Sequence, residues 1–145
     1  MITYPLKFSV KASGTAGINA NWQTSSHSMD QVLPAAVPPE FAGPGHGFSP
    51  EDFYSLAMAN CYIATFKVFA ERSHLDYKEI QADLTLEVDR DEKGFPWMAR
   101  AEMQVRLYGP SSKEKAQALL DKTLKGCLVM NSIKTEKNVT FEIID

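Results

Sequence analysis

Cys61 and Cys127 are the residues of this 145-residue chain whose type and setting could do chemistry. Cys61 stands in Ala57-Met58-Ala59-Asn60-Cys61-Tyr62, a largely apolar stretch in which Asn60 and Thr65 are polar intrusions. A thiol in such a place is either a small buried hydrophobe or a nucleophile facing an organic substrate. It becomes the second when nearby positive charge or a helix N-terminus lowers its pKa. Cys127 follows Gly126 and precedes Leu128-Val129-Met130. At the start of a short helix, exposed backbone N–H groups would favour its thiolate; otherwise it is a packing residue. Glu51, in Ser49-Pro50-Glu51-Asp52, is in the first instance an acidic first-turn residue that helps a helix to start. It precedes Cys61 by ten residues, roughly 15 Å of straight helix. The two would share a site only through a bend or a second subunit.

Other chemistries find little support. Two cysteines do not make the disulfide framework of a small secreted protein or a four-cysteine zinc site. His27, His46 and His74 lack metal-ligand spacing, so neither a metal nor another cofactor is expected. Gly43-Pro44-Gly45-His46-Gly47 has neither a Walker lysine nor a GxGxxG spacing. The lysines from Lys113 to Lys137 alternate with Glu114, Asp121 and Glu136 and read as a solvated face. Fifteen basic against eighteen acidic residues, a net charge of −3, argues against a nucleic-acid or anionic-membrane partner. Met1–Val10 has no signal-peptide apolar core and no transmembrane run is present, so a cytoplasmic, reducing setting is expected. At 44% hydrophobic and 23% charged, the chain has the composition of one globular domain spanning residues 1–145.

The elements that must position these residues follow from periodicity. Leu6, Phe8 and Val10 alternate with Lys7, Ser9 and Lys11, predicting a first strand, with Ser13–Gly17 as a hairpin connection. Further strands are expected near Ile18–Gln23 and Gln31–Ala36, and a loop over Pro38–Gly47. Ser49 as N-cap, Pro50 at the first helical position and two acids behind it open a central helix of about 24 residues, about 36 Å long. It is apolar nearly all round, as expected of a helix buried in the protein or between subunits. Two alternating strands, Ile80–Asp89 and Ala99–Leu107, flank a turn at Asp91–Gly94. A second helix carries Ala116, Leu119, Leu120, Thr123 and Leu124 on one stripe, with Gly126 as its expected cap. A short helical turn over Cys127–Ile133 and a last strand through Val139, Phe141 and Ile143 complete the order. The expected class is α+β, with helices on one face of antiparallel sheet.

Phe48-Ser49-Pro50-Glu51-Asp52-Phe53 leading into Ala59-Asn60-Cys61-Tyr62 resembles the OsmC/Ohr family of thiol-dependent peroxidases. The shared pattern is a Pro-Glu pair opening the central helix and a cysteine ten residues after the glutamate. Cys127-Leu128-Val129 is similar to the family's second Cys-x-Val motif, and Pro38-Pro39-Glu40-Phe41 with Gly43-Pro44-Gly45 resembles a family loop. The resemblance implies an OsmC-like fold in an intertwined homodimer with the central helices between subunits. It also implies that Cys61 attacks the O–O bond of an organic hydroperoxide and becomes a sulfenic acid, which Cys127 resolves to a disulfide that an external dithiol reduces. Glu51 would orient an activating cation.

In one respect the chain departs from that pattern. Peroxidase members carry an arginine in the N-terminal hairpin, held by the glutamate and bonded to the thiolate. Here the matching stretch is Ser13-Gly14-Thr15-Ala16-Gly17-Ile18, and no arginine precedes Arg72. Either another cation substitutes, such as Lys11 or an arginine of the partner, or Cys61 keeps an ordinary pKa and the peroxidase is slow or lost. The alternative function is an OsmC-like dimer without peroxidase activity that binds an apolar small molecule between its subunits, beside the aromatic residues Phe53, Tyr54, Tyr62, Phe66 and Phe69.

Overall fold

Ser49 starts the longest element as its sequence predicts. In the computed structural model, which describes residues 1–145, the Ser49 hydroxyl accepts from the Asp52 N–H (3.0 Å) and the Asp52 carboxylate accepts from the Ser49 N–H (2.9 Å). This reciprocal capping box satisfies two donors at the helix start. Helix α1 then runs Pro50–Arg72. Its buried positions, Met58, Ala59, Tyr62, Phe66 and Ala70, recur at helical spacing and define one inward face.

The chain divides into two compact units, Met1–Phe53 and Tyr54–Asp145. The first holds an antiparallel meander of β1 (Val10–Ser13), β2 (Trp22–Ser26) and β3 (Val32–Ala35), in that order. The first two strands begin later than the alternation predicted. Leu6 and Phe8 lie before β1 and stay exposed, because alternation marks an apolar side without showing that anything in the same chain covers it. Pro39–Phe41 forms a short 3-10 turn inside the expected loop. Gly43 lets that loop close on itself, since a Cβ there would lie 2.1 Å from the Val37 carbonyl oxygen. Its glycine thus serves backbone approach within the loop.

The second unit packs the body of α1 together with α2 (Lys113–Gly126) and the one-turn α3 (Leu128–Asn131) on a sheet of β4 (Glu79–Arg90), β5 (Pro96–Tyr108) and β6 (Glu136–Ile144). In β5 the buried Ala99, Ala101, Met103, Val105 and Leu107 alternate with outward Arg100, Glu102, Gln104 and Arg106, as period-two patterning predicts. Strands β4 and β5 form the expected antiparallel hairpin. Strand β6 instead joins β5 in parallel, with Arg100 opposite Glu136 and Tyr108 opposite Ile144. The expectation of a purely antiparallel sheet is corrected here. A helix-containing connection carries the chain back along the sheet, and that is how parallel neighbours are joined. The α+β class with a long central helix stands.

Candidate functional site

The two cysteines meet where the end of α2 reaches α1. Helix α2 is capped by Ser112, whose hydroxyl accepts from the Lys115 N–H (3.3 Å). Its last residue, Gly126, continues the helix; the αL cap expected there is absent, and the chain leaves through extended Cys127 (φ −72°, ψ 113°). What Gly126 supplies is proximity. A Cβ on it would lie 3.0 Å from Cζ and 3.1 Å from Cε2 of Phe69 and 3.7 Å from the Thr65 methyl. A side chain there would crowd the Phe69 ring, so glycine eases the close approach of α2 to the Thr65–Phe69 turn of α1. Cys127 then begins α3, anchored by its carbonyl, which accepts from the Asn131 backbone N–H (3.1 Å) and side-chain amide (2.8 Å).

This geometry brings α3 onto the Cys61 sulfur. The Val129 N–H donates to Cys61 Sγ at 3.5 Å, and Cys127, two residues earlier, belongs to the buried cluster against which Cys61 packs. Both cysteines are free; Cys61 is half-buried and Cys127 has no exposed surface. The Thr65 hydroxyl, one turn along α1, donates to the Cys61 carbonyl (2.8 Å) and reaches its sulfur as well. Burial pushes the Cys61 thiol up, but the Val129 N–H, the Cys127 thiol, the Thr65 hydroxyl and the Leu128 N–H more than offset it. The net result is a pKa below the ordinary thiol value. Cys127 moves the other way. Burial, together with its hydrogen bond to Cys61 and the Cys61 charge, pushes it up to about 11 against the lowering N–H groups of Met130 and Val129. Tyr62, whose hydroxyl donates to the Leu120 carbonyl (2.9 Å), is held a neutral phenol by burial and by the charges of Asp121 and Cys127.

Of the three residues singled out from sequence, Cys61 and Cys127 come together. Glu51 lies in the first turn of α1, ten residues before Cys61, about 15 Å of helix rise. Sequence reasoning missed the donors on the Cys61 sulfur. Two are backbone N–H groups, which every non-proline residue carries, so composition gives no sign of them. Thr65 was visible as a polar intrusion at i+4, but not the close approach at Gly126. No group of three or more His, Cys, Asp or Glu side chains is placed to hold a metal, and no helix is long and apolar enough to cross a membrane.

The paired thiols imply a pH signature for stability. In the reduced protein the two sulfurs hold one proton between the lowered Cys61 ionisation and that of Cys127, pushed up to about 11. Below the ordinary thiol value, the lowered Cys61 ionises first in the folded state, so its contribution to stability grows with pH up to about 9 and is lost as pH falls through its folded pKa. Above that value the unfolded chain releases the Cys127 proton while the folded chain keeps it. Stability therefore falls as pH rises from about 9 to about 11. Denaturant midpoints of the reduced protein, compared with those of Cys127→Ala, should show this maximum in the wild type and a flatter profile in the variant.

The class that the fold and site define is an α+β protein with two unlike thiols brought close together, Cys61 below and Cys127 above the ordinary thiol pKa. Comparison with known proteins gives the class its family. Residues 43–142 match the OsmC-like protein family, and the chain belongs to it. The fold agrees. The OsmC-like protein from Mycoplasma pneumoniae superposes with a TM-score of 0.81 at 15% identity, covering 98% of this chain and 100% of that one. An organic hydroperoxide resistance protein OsmC from Legionella pneumophila gives 0.73 at 19% identity, covering 99% and 100%. An uncharacterised Bacillus subtilis protein, YmaD, is 29% identical over 72 residues, 46% of this chain. The match spans 48%, about half, of that relative's length.

Proposed function

We propose that this chain is a two-cysteine peroxidase for organic hydroperoxides, acting in defence against oxidative stress. The observation that carries the reading is the Cys61 sulfur under the Val129 N–H at 3.5 Å with Cys127 beside it. The Cys61 thiolate attacks the distal peroxide oxygen, the O–O bond breaks, and the alkoxide leaves as the alcohol with a proton from solvent. Cys61 is left as a sulfenic acid. The Cys127 sulfur then attacks Cys61, water departs, and an intramolecular disulfide forms. An external dithiol, of the kind a reducing cytoplasm supplies, restores both thiols. Membership of the OsmC-like family and the fold shared with a hydroperoxide resistance protein support this chemistry.

The working unit in this reading is a homodimer. Leu56, Ala57, Asn60, Ala64 and Val68 form an exposed stripe on α1 opposite its buried face, with Leu56 43% and Val68 46% exposed in the single chain. A second subunit covers such a stripe at low cost. Glu51 holds the cation that the assembled dimer brings to the site.

A second reading is an OsmC-like dimer that binds an apolar small molecule without turnover. It is favoured by the recess of about 250 Å³ in the first unit, bordered by Val10, Met29, Leu33 and Phe53. One experiment separates the two. The reduced protein is treated with a stoichiometric amount of cumene hydroperoxide and its free thiols are counted. Loss of both thiols, with release of cumyl alcohol and a disulfide between Cys61 and Cys127, is expected of the peroxidase. Two titratable thiols in a folded protein exclude it.

A further inference from the structure

We propose that Cys127 works before it resolves: as a thiol, it donates a hydrogen bond that holds the Cys61 thiolate, sharing the role the resemblance gives to an arginine. The inference deepens the peroxidase reading and rests on it for the steps after ionisation. Its test needs no hydroperoxide.

The placement of Cys127 carries the argument. The residue before it, Gly126, is packed against Thr65 and Phe69 of α1. Two residues after it, the Val129 N–H meets Cys61 Sγ at 3.5 Å. Cys127 lies between these contacts and is held by Asn131 through its carbonyl. Its side chain has no exposed surface, so no bulk water can take the thiol proton as a hydrogen bond. A buried donor needs an acceptor, and the Cys61 sulfur, packed against the same buried cluster and met by the Val129 N–H, lies beside it. The other titratable group facing the pair is the neutral Tyr62 phenol on α1, which also feels the charge of Asp121 on α2. The donors on the sulfur are N–H, O–H and S–H groups, none of them a cation.

The same contact sets the order of the chemical steps. While Cys61 is charged, Cys127 keeps its proton and cannot attack. Oxygen transfer converts Cys61 to a neutral sulfenic acid, and both the charge and the accepting thiolate that held the Cys127 proton are gone. Cys127 then attacks the Cys61 sulfur, its proton leaves with the sulfenic hydroxyl as water, and the disulfide closes. The two electrons lost by the sulfur pair are those that reduced the peroxide bond.

Alkylation tests the proposal. Iodoacetamide labelling of Cys61, followed peptide by peptide by mass spectrometry across pH, gives the ionisation midpoint of that sulfur alone. Cys127→Ala removes the donor, and the midpoint should rise by about half to one pH unit, the scale expected for a weak charge-assisted donor. Cys127→Ser keeps a donor in place, and its midpoint should stay near that of the wild type. A purely structural role for Cys127 would not separate the two variants in this way. A midpoint unmoved in Cys127→Ala, or raised as far in Cys127→Ser, overturns the proposal. A second measurement uses no variant: the ultraviolet thiolate absorbance of the reduced wild type should rise in two separated steps of one thiolate each. A single step of two thiolates also overturns it.

Discussion

Replacing Cys61 by serine abolishes hydroperoxide turnover, by at least about 10³-fold, while leaving the fold intact. A serine hydroxyl has no appreciable anion near neutral pH and forms no counterpart of the sulfenic acid, so both the attack and the intermediate are lost. The size of the effect follows from the division of labour between the two sulfurs. Cys127 has no exposed surface, and burial, the largest cause of its raised pKa, persists when the Cys61 charge is removed, so in the variant it stays a shielded neutral thiol and does not stand in as the attacking thiolate. The free thiol of Cys61→Ser should therefore remain titratable after exposure to cumene hydroperoxide. Cys127→Ser behaves differently. It should complete one oxygen transfer, stall at the sulfenic acid, and proceed to sulfinic acid under excess peroxide. Stopped-flow alcohol release and intact mass of the two variants read out the contrast. Turnover in Cys61→Ser above a tenth of the wild-type rate would show that another group attacks.

The same residues show how far the sequence could be read. The start of α1 was legible because Ser49, Pro50, Glu51 and Asp52 state a helix N-terminus in local chemistry, and the capping box is its physical form. The β4–β5 hairpin was legible because a half-buried strand writes its two faces into alternate residues. The parallel seat of β6 was not, since alternation says which face is wet and nothing about which strand lies alongside. In the first unit Leu6 and Phe8 carry a strand-like pattern yet stand 51% and 90% exposed. The candidate site divides along the same line. Both thiols were visible as residue types, but the close helix approach at Gly126 that brings them together was not, and the Cys61 pKa depends in part on backbone donors at Val129 and Leu128. Patterning reports what a side chain prefers, whereas this sulfur is tuned by burial and by main-chain and side-chain groups brought to it through tertiary packing.

That packing has its own test in Phe66. The ring is fully buried on the inward face of α1, within the cluster that includes Val105, Leu107 and Leu120, and meets Tyr77 edge to face (centroids 5.4 Å apart, 71°). Phe66→Ala should cost about 3–5 kcal/mol, combining lost burial with the cavity left behind. Against a total of roughly 5–15 kcal/mol for a domain, that is a large fraction of the stability. Phe66→Leu keeps most of the volume and should cost less than about 1.5 kcal/mol. Denaturant midpoints should fall accordingly with little change in slope. Equal losses in the two variants would mean that the aromatic pair with Tyr77, and not filled volume, holds α1 in place. The thiols separate this effect from the chemistry. Phe66 is not among the groups that donate to the Cys61 sulfur. In the folded fraction of Phe66→Ala, Cys61 should therefore alkylate with its wild-type pH midpoint. A raised midpoint would instead mean that Phe66 helps to keep the Thr65 turn of α1 seated against Gly126, and so sets the distance across which α3 reaches the reactive sulfur.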